Sequence, residues 1–344
     1  MRALVVGAGA VGRYLAARLA AAGHDAVLLG RPGTSAQLEN GYTLAAGDMA
    51  RRVSVPIATS PSDAAVQTPF ELVVTAVKAF ATPSAIDSIR AIPACEHASI
   101  LVVQNGLGNE ELCAAAFGED RIIAGALTTA VEKTADGVTA GKSGGLSIAP
   151  LGSTSHNWII AALGSTGIKV AAVADWRALK WSKLCINLQA NAVCAILDWT
   201  PQQVYADRGS FSIERRCLLE AIATMDKLAI TPVVLIDFSV PLLISAARSL
   251  PVGILRMLLA SRVAKARAGK LPSLLIDTRA RKPQLEVDAL NGAVAIRAKD
   301  CGVAAPANAA VTRILDGIIS RAEVWDDYRG KPAALAEAIA VPRS

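Results

Sequence analysis

The sequence is poor in aromatic residues, at 4% Phe, Trp and Tyr, and its three histidines, His24, His97 and His156, lie far apart. No metal-ligand spacing follows from them, so no metal site is expected. The six cysteines (Cys95, Cys113, Cys185, Cys194, Cys217, Cys301) include no Cys-x-x-Cys pair and fall mostly in apolar segments. That speaks against a disulfide framework or a zinc site and for buried, reduced thiols. Uncharged apolar runs of membrane-spanning length are missing as well. The most hydrophobic stretch, Val240 to Ala260, is interrupted by Arg248, Pro251 and Arg256, so no membrane partner is expected. The apolar start Leu4-Val5-Val6 stops at a glycine-rich turn with no cleavage-like site before Arg13, and a cytoplasmic location is expected. Acid is scarce between Arg262 and Lys282, where Asp277 stands against seven Lys and Arg, within a net charge of +6. No aromatic residue is interleaved there for base stacking. The stretch is therefore read as a solvated helix face, and no nucleic-acid partner is expected.

What the chain does have is apolar bulk. It is 344 residues long and 53% hydrophobic, with a mean hydropathy of +0.40, enough for two well-buried domains. The first half alternates short β-branched runs with helical patterns. Strands are expected at Ala3–Val6, Ala26–Leu29, Leu72–Val77, Ser99–Val103, Arg121–Ala126, Leu146–Ala149 and Ile168–Val173. Helices are expected between many of them, at Val11–Ala22, Thr82–Ala91, Asn109–Ala116 and His156–Leu163. After Asp175 the strand signal stops and helical patterns take over: Trp176–Leu197, Ser212–Leu228, Asp237–Ser249, Val252–Ala268, Gln284–Cys301 and Ala307–Arg321. The expected fold class is α/β, a Rossmann-type doubly wound parallel sheet followed by an all-helical domain. The expected domains are residues 1–174 and 175–328, with a loosely packed tail at 329–344.

Gly7-Ala8-Gly9-Ala10-Val11-Gly12 follows the first strand and opens the first helix. In that context Gly7 permits the tight turn, Gly9 lets a pyrophosphate approach the backbone, and Gly12 lets the helix pack on the sheet. The helix N-terminus, at Ala10 and Val11, offers N–H donors to the phosphates. An NAD site usually carries an acid at the end of the second strand; here that strand ends Leu28-Leu29-Gly30-Arg31. Arg31 suits a 2′-phosphate, so the expected cofactor is NADP(H). Two more strand ends belong to the same edge: Lys78, and Gln104-Asn105-Gly106. Taken alone these are a surface lysine and a turn dipeptide, but strand ends in an open parallel sheet converge on one crevice. Farther on, Lys183, Asn187 and Asn191 are spaced i, i+4, i+8 in an otherwise apolar helical pattern and would form one polar stripe. A stripe facing solvent and a stripe lining a site remain open on pattern alone.

Together with Glu286-Val287-Asp288-Ala289-Leu290-Asn291-Gly292, these motifs resemble the ketopantoate reductase family, in order from about residue 1 to 322. The resemblance implies a Rossmann domain followed by a helical domain, with the active site in the cleft between. It also implies NADPH-dependent reduction of 2-dehydropantoate to pantoate, on the way to pantothenate. By the same resemblance Lys183 is the general acid, and Glu286 is a catalytic partner that accepts from the substrate hydroxyl or orients Lys183. Asn187, Asn191, Ser273 and Asn105 would hold the small anionic keto acid. Asn105 and Lys78 would position the nicotinamide. The chain departs from the family in carrying Pro201 where a further asparagine is usual, in a Ser273-to-Glu286 spacing one residue longer, and in an enlarged stretch from Val240 to Lys270. All three touch the substrate side. A β-hydroxyacid-type dehydrogenase and a non-catalytic NADP-sensing protein are the other readings, and a homodimer is compatible with all of them.

Overall fold

Leu4, Val5 and Val6 are buried on both faces of the first strand, which is possible only if layers cover both sides of its sheet. The computed structural model describes residues 1–34, 38, 41–47, 49–64, 68–267 and 271–340. The side chains of Arg262, Lys265 and Arg267, together with Ala268, Lys270 and residues 341–344, lie outside the described residues. With them go much of the basic stretch, the last residue of the expected helix Val252–Ala268 and the end of the tail.

In chain order the strands of the first half are β1 (Arg2–Val6), β2 (Asp25–Leu29), β3 (Tyr42–Ala46), β4 (Met49–Val53), β5 (Ile57–Ala58) and β6 (Leu72–Thr75). They continue with β7 (Ser99–Val102), β8 (Ile122–Leu127), β9 (Val131–Lys133), β10 (Gly137–Ala140), β11 (Leu146–Pro150) and β12 (Val170–Ala172). One sheet runs β12-β11-β8-β7-β6-β1-β2-β5. From β5 to β8 all its pairs are parallel, and β11 joins β8 antiparallel. The chain order reverses at β1, with β2 on one side and β6 on the other, which is where doubly wound sheets open a crevice. Alternate residues of β1 face opposite layers. Ala3 and Val5 pack with Tyr14, Leu15 and Leu19 of the helix Ala10–Ala21. Leu4 and Val6 pack with Ile86 and Ile89 of the helix Thr82–Arg90.

A second sheet, β4-β3-β10-β9, was not legible in the sequence. β4 is exposed at four of its five positions and carries Arg51 and Arg52, and β9 has three residues, so neither shows a buried period. Tyr42, Leu44, Val138 and Ala140 nevertheless join the core on the side of the first helix.

The chain divides into two compact units, Met1–Gln104 with Gly108–Lys180 and Val234–Phe238, and Asn105–Leu107 with Trp181–Val233 and Ser239–Ser344. The division falls inside the helix Trp176–Asn187, later than the expected boundary. The second unit is helical, but the expected helix Trp176–Leu197 is broken into Trp176–Asn187 and Ala192–Leu197, with Ala190 at φ 50 between them. Further helices are Arg208–Lys227, Val240–Ser249, Val252–Arg267, Ala293–Asp300 and Pro306–Ser320. Pro201 opens a short helix, Pro201–Ala206, whose N-terminus is closed by a Thr200–Gln203 capping box. The expected loose tail contains the helix Pro332–Ala340, with Leu335 and Ile339 buried. A short hairpin, β13 (Val234–Leu235) and β14 (Phe238–Ser239), interrupts the helical half. It returns to the first unit, where Thr128 Oγ1 donates to Ile236 O at 3.0 Å and Gly144 N donates to Asp237 Oδ2 at 2.7 Å. Among the described residues no helix is long and apolar enough to cross a membrane.

Candidate active site

In the first unit the glycine loop sits at the reversal point of the sheet. Gly7, at φ +113, lies so close to the loop after β6 that a Cβ there would be 2.8 Å from the carbonyl carbon and oxygen of Ala76. A Cβ on Gly12 would fall 1.7 Å from Gly7 O, so glycine alone lets the helix approach. Gly9 differs: nothing lies within 4 Å of its Cβ position, and it is the N-cap of the helix Ala10–Ala21 with no side-chain cap. No acid occupies the first turn of that helix. An open glycine, uncapped first-turn N–H groups at Ala10 and Val11 and no local negative charge fit a pyrophosphate. The buried Arg13 braces the loop from below, its Nε donating to Ala8 O at 3.0 Å. Arg31 is exposed two residues beyond β2, with Thr34 N donating back to Arg31 O at 3.0 Å. Lys78 is half-buried just past β6. The strand ends at Thr75, earlier than the expected Val77, because Ala76 and Val77 turn against Gly7.

In the second unit the polar groups form a chain. Asn187 Nδ2 donates to Asn105 Oδ1 at 3.1 Å, and Asn191 Nδ2 donates to Asn187 O at 3.2 Å. Asn191 Oδ1 accepts from Leu274 N at 3.3 Å, at the start of the helix Ser273–Arg279, where Ser273 is exposed. The helical stripe is thereby corrected. Lys183, half-buried, and Asn187 share a helix, but Asn191 lies beyond its end, as the N-cap of Ala192–Leu197. The buried Glu214 maintains this break: its Oε2 accepts from Ala190 N at 2.9 Å. Glu286 is 5% exposed and precedes a π-helical turn at Asp288–Gly292, in which Gly292 N donates to Val287 O at 3.0 Å. That turn reaches the Asn105 loop. Leu107 N donates to Ala289 O at 3.0 Å, and Gly106, at φ +86, has no room for a Cβ, which would lie 2.3 Å from Ala289 O.

The turn is held from the other side by buried polar groups that sequence reasoning missed. Asn291 Nδ2 donates to Asn308 Oδ1 at 2.9 Å, and Glu220 accepts from Ala307 N, Asn308 N and Asn308 Nδ2 at 2.8–2.9 Å. Glu214, Glu220, Glu110 and Lys180 carry no motif of their own; the one available signal was their ionisable character within apolar helical patterns. The six cysteines are free, five of them buried. Burial pushes the Cys185 thiol up to about 12, which makes it a packing group and not a nucleophile.

The sequence matches the ketopantoate reductase PanE/ApbA family over residues 3–152 and the C-terminal part of the same family over residues 175–318. The chain belongs to the ketopantoate reductase family. A relative named 2-dehydropantoate 2-reductase from Halobacterium salinarum is 28% identical over 322 residues, covering 89% of this chain and 95% of the relative. The crystal structure of a family member from Ralstonia eutropha JMP134 superposes with a TM-score of 0.78 at 25% identity, covering 93% of this chain and 99% of that one. A D-mandelate dehydrogenase solved with NADH and anilino(oxo)acetate shares the fold at a TM-score of 0.79 and 18% identity, over 93% and 99% of the two chains. A ketopantoate reductase from Staphylococcus aureus, described as dimeric, does so at 0.70 and 19%, over 94% and 100%.

Proposed function

We propose that the protein reduces a 2-keto acid, 2-dehydropantoate foremost, to the 2-hydroxy acid with NADPH. The observation that carries this reading is the hydrogen-bonded set Asn105, Asn187 and Asn191, one helical turn from Lys183. Amides and a lysine ammonium are what a carboxylate beside a ketone requires, and a sensor without catalysis needs no such proton donor. A β-hydroxyacid-type dehydrogenase is disfavoured by the Glu286–Gly292 segment, which ties the Asn105 loop to Glu286.

The cofactor, when bound, supplies a hydride to the keto carbon. The loop Gly7, Ala8, Gly9 and Gly12 would hold the pyrophosphate, Arg31 the 2′-phosphate, and Lys78 and Asn105 the nicotinamide end. Asn187, Asn191 and Ser273 would bind the carboxylate and hydroxyl region of the substrate. Lys183 Nζ gives its proton to the carbonyl oxygen and stabilises the alkoxide that develops there. Glu286 orients Lys183 or accepts from the terminal hydroxyl. The proton and the hydride together account for the two hydrogens of the product alcohol.

NADPH and NADH oxidation followed across a panel of short 2-keto acids, 2-dehydropantoate included, tests the reading; no turnover on any member overturns it. Assembly as a homodimer is proposed alongside. Ile254, Met257 and Leu258 stand i, i+3, i+4 on one helix at 46–65% exposure, an apolar stripe suited to a second copy. A monomeric mass in light scattering at micromolar concentration would exclude it.

A further inference from the structure

Two fully buried charges in the first unit lie in neither cofactor nor substrate motif. Lys180 is 1% exposed and Glu110 is fully buried, and Lys180 Nζ stands 2.8 Å from Glu110 Oε1. Burial pushes the Glu110 carboxyl up, opposed by the neighbouring ammonium. Taking both charges out of water is expensive, and an apolar pair of similar volume often serves stability as well or better. Net stability is thus a weak account of this pair, and its hydrogen bonds give a better one.

Lys180 Nζ donates to Gln104 O at 2.6 Å, the main-chain carbonyl immediately before Asn105. The same residue is gripped by its side chain. Gln104 Nε2 donates to Thr82 Oγ1 at 2.6 Å, and Thr82 Oγ1 donates to Asn109 Oδ1 at 2.7 Å, beside Glu110 on the first turn of the helix Asn109–Phe117. β7 ends at Val102, so Gln104 has lost the sheet ladder that would otherwise fix its carbonyl. A chain leaving a strand can rotate about its next peptide freely unless something holds it. Here the ammonium holds it. With its donors engaged and its exposure near zero, Lys180 is no candidate for the proton donor, although it lies on the same helix as Lys183.

We propose that Lys180 and Glu110 are positioning residues for Asn105: the buried pair clamps the Gln104 carbonyl and so sets the direction in which Asn105 leaves β7. This inference rests on the reading of Asn105 as a ligand-binding amide. Glu110, 2.8 Å from Lys180 Nζ, aims the amine at the carbonyl; Thr82 provides the second grip.

The test uses the full chain. The double substitution K180M/E110L removes both charges at similar volume, and K180Q/E110Q keeps an N–H donor for Gln104 O without charge. The expected result is a loss of tenfold or more in kcat/KM for the keto acid in K180M/E110L, with the NADPH Kd within twofold of wild type. K180Q/E110Q should recover to within threefold. In an N105A background the K180M/E110L change should add less than twofold, because the clamp acts through Asn105. Unchanged turnover in K180M/E110L, or a full tenfold loss on top of N105A, overturns the proposal. If K180M/E110L does not fold, T82V carries the same comparison by breaking the other grip with an isosteric side chain. A threefold loss absent in N105A supports the clamp, and an additive loss overturns it. Should wild type reduce no keto acid, the functional reading fails, and hydrogen exchange at the amides of residues 105–107 decides the clamp alone. Tenfold faster exchange in K180M/E110L, or in T82V if that pair does not fold, supports it; unchanged exchange refutes it.

Discussion

Replacing Gly9 by alanine separates a phosphate cradle from a mere turn. Gly9 sits at φ −75 and ψ −171, a backbone any L-residue adopts, and nothing lies within 4 Å of the new methyl. A Gly-to-Ala change at such a position stabilises a protein by roughly 0.4–1 kcal/mol, through the unfolded chain. The methyl nevertheless occupies the space through which phosphate oxygens would approach the first-turn N–H groups. Losing one charge-assisted hydrogen bond costs about 1.5–3 kcal/mol, equivalent to a Kd about ten- to a hundredfold weaker. Gly12→Ala is the contrast: its Cβ would lie 1.7 Å from Gly7 O, and Gly7 cannot yield because it is wedged against Ala76. Overpacking against two backbones costs about 3 kcal/mol or more, a drop in Tm of roughly 4 °C or more for a chain of this length. The assays are thermal melts without cofactor and a fluorescence titration with NADPH. The reasoning is refuted if Gly9→Ala binds NADPH within twofold of wild type, or if Gly12→Ala melts with it.

Lys183→Ala should leave NADPH binding intact and lower kcat by about a hundredfold to ten-thousandfold; stopped-flow reduction with normal rates would remove Lys183 from the mechanism. Arg31→Ala should weaken NADPH by about tenfold or more while leaving NADH unchanged, measured as the ratio of the two kcat/KM values. Asp316 offers a pH-dependent test of stability. Partial burial first, and Asp288 beside it second, push its carboxyl from 3.8 up to about 6. The folded chain therefore binds this proton more tightly than the unfolded one, and the contribution is complete below 3.8 and lost as pH rises through about 6. Asp316→Asn should gain about 1–2 kcal/mol at pH 8 after allowing for solvent screening. That is a few degrees in Tm, shrinking as pH falls toward 4; a gain independent of pH would show that the carboxyl is not the cause.

The sequence alone determined the doubly wound half and its glycine loop, because those constraints are largely local. Gly12 must be glycine because the Gly7 carbonyl lies only five residues earlier in the chain, and strands such as Leu72–Thr75 are buried on both faces, so apolar runs suffice to announce them. β4 gave no such sign, because exposed Arg51 and Arg52 are stabilised by pairing with β3 and not by burial. The substrate side was legible as a list of residues and not as an arrangement. Lys183, Asn187 and Asn191 read as one continuous stripe, since nothing near Ala190 disfavours a helix. The break there depends on Glu214, far along the chain, whose carboxylate accepts from Ala190 N. Tertiary structure likewise decided that Asn105 meets Asn187, that Ala289 closes against Gly106, and that Lys180 and Glu110 pair in the interior of the first unit. Each of these depends on contacts between distant segments, and a one-dimensional pattern carries periodicity but not which distant partner will satisfy a buried polar group.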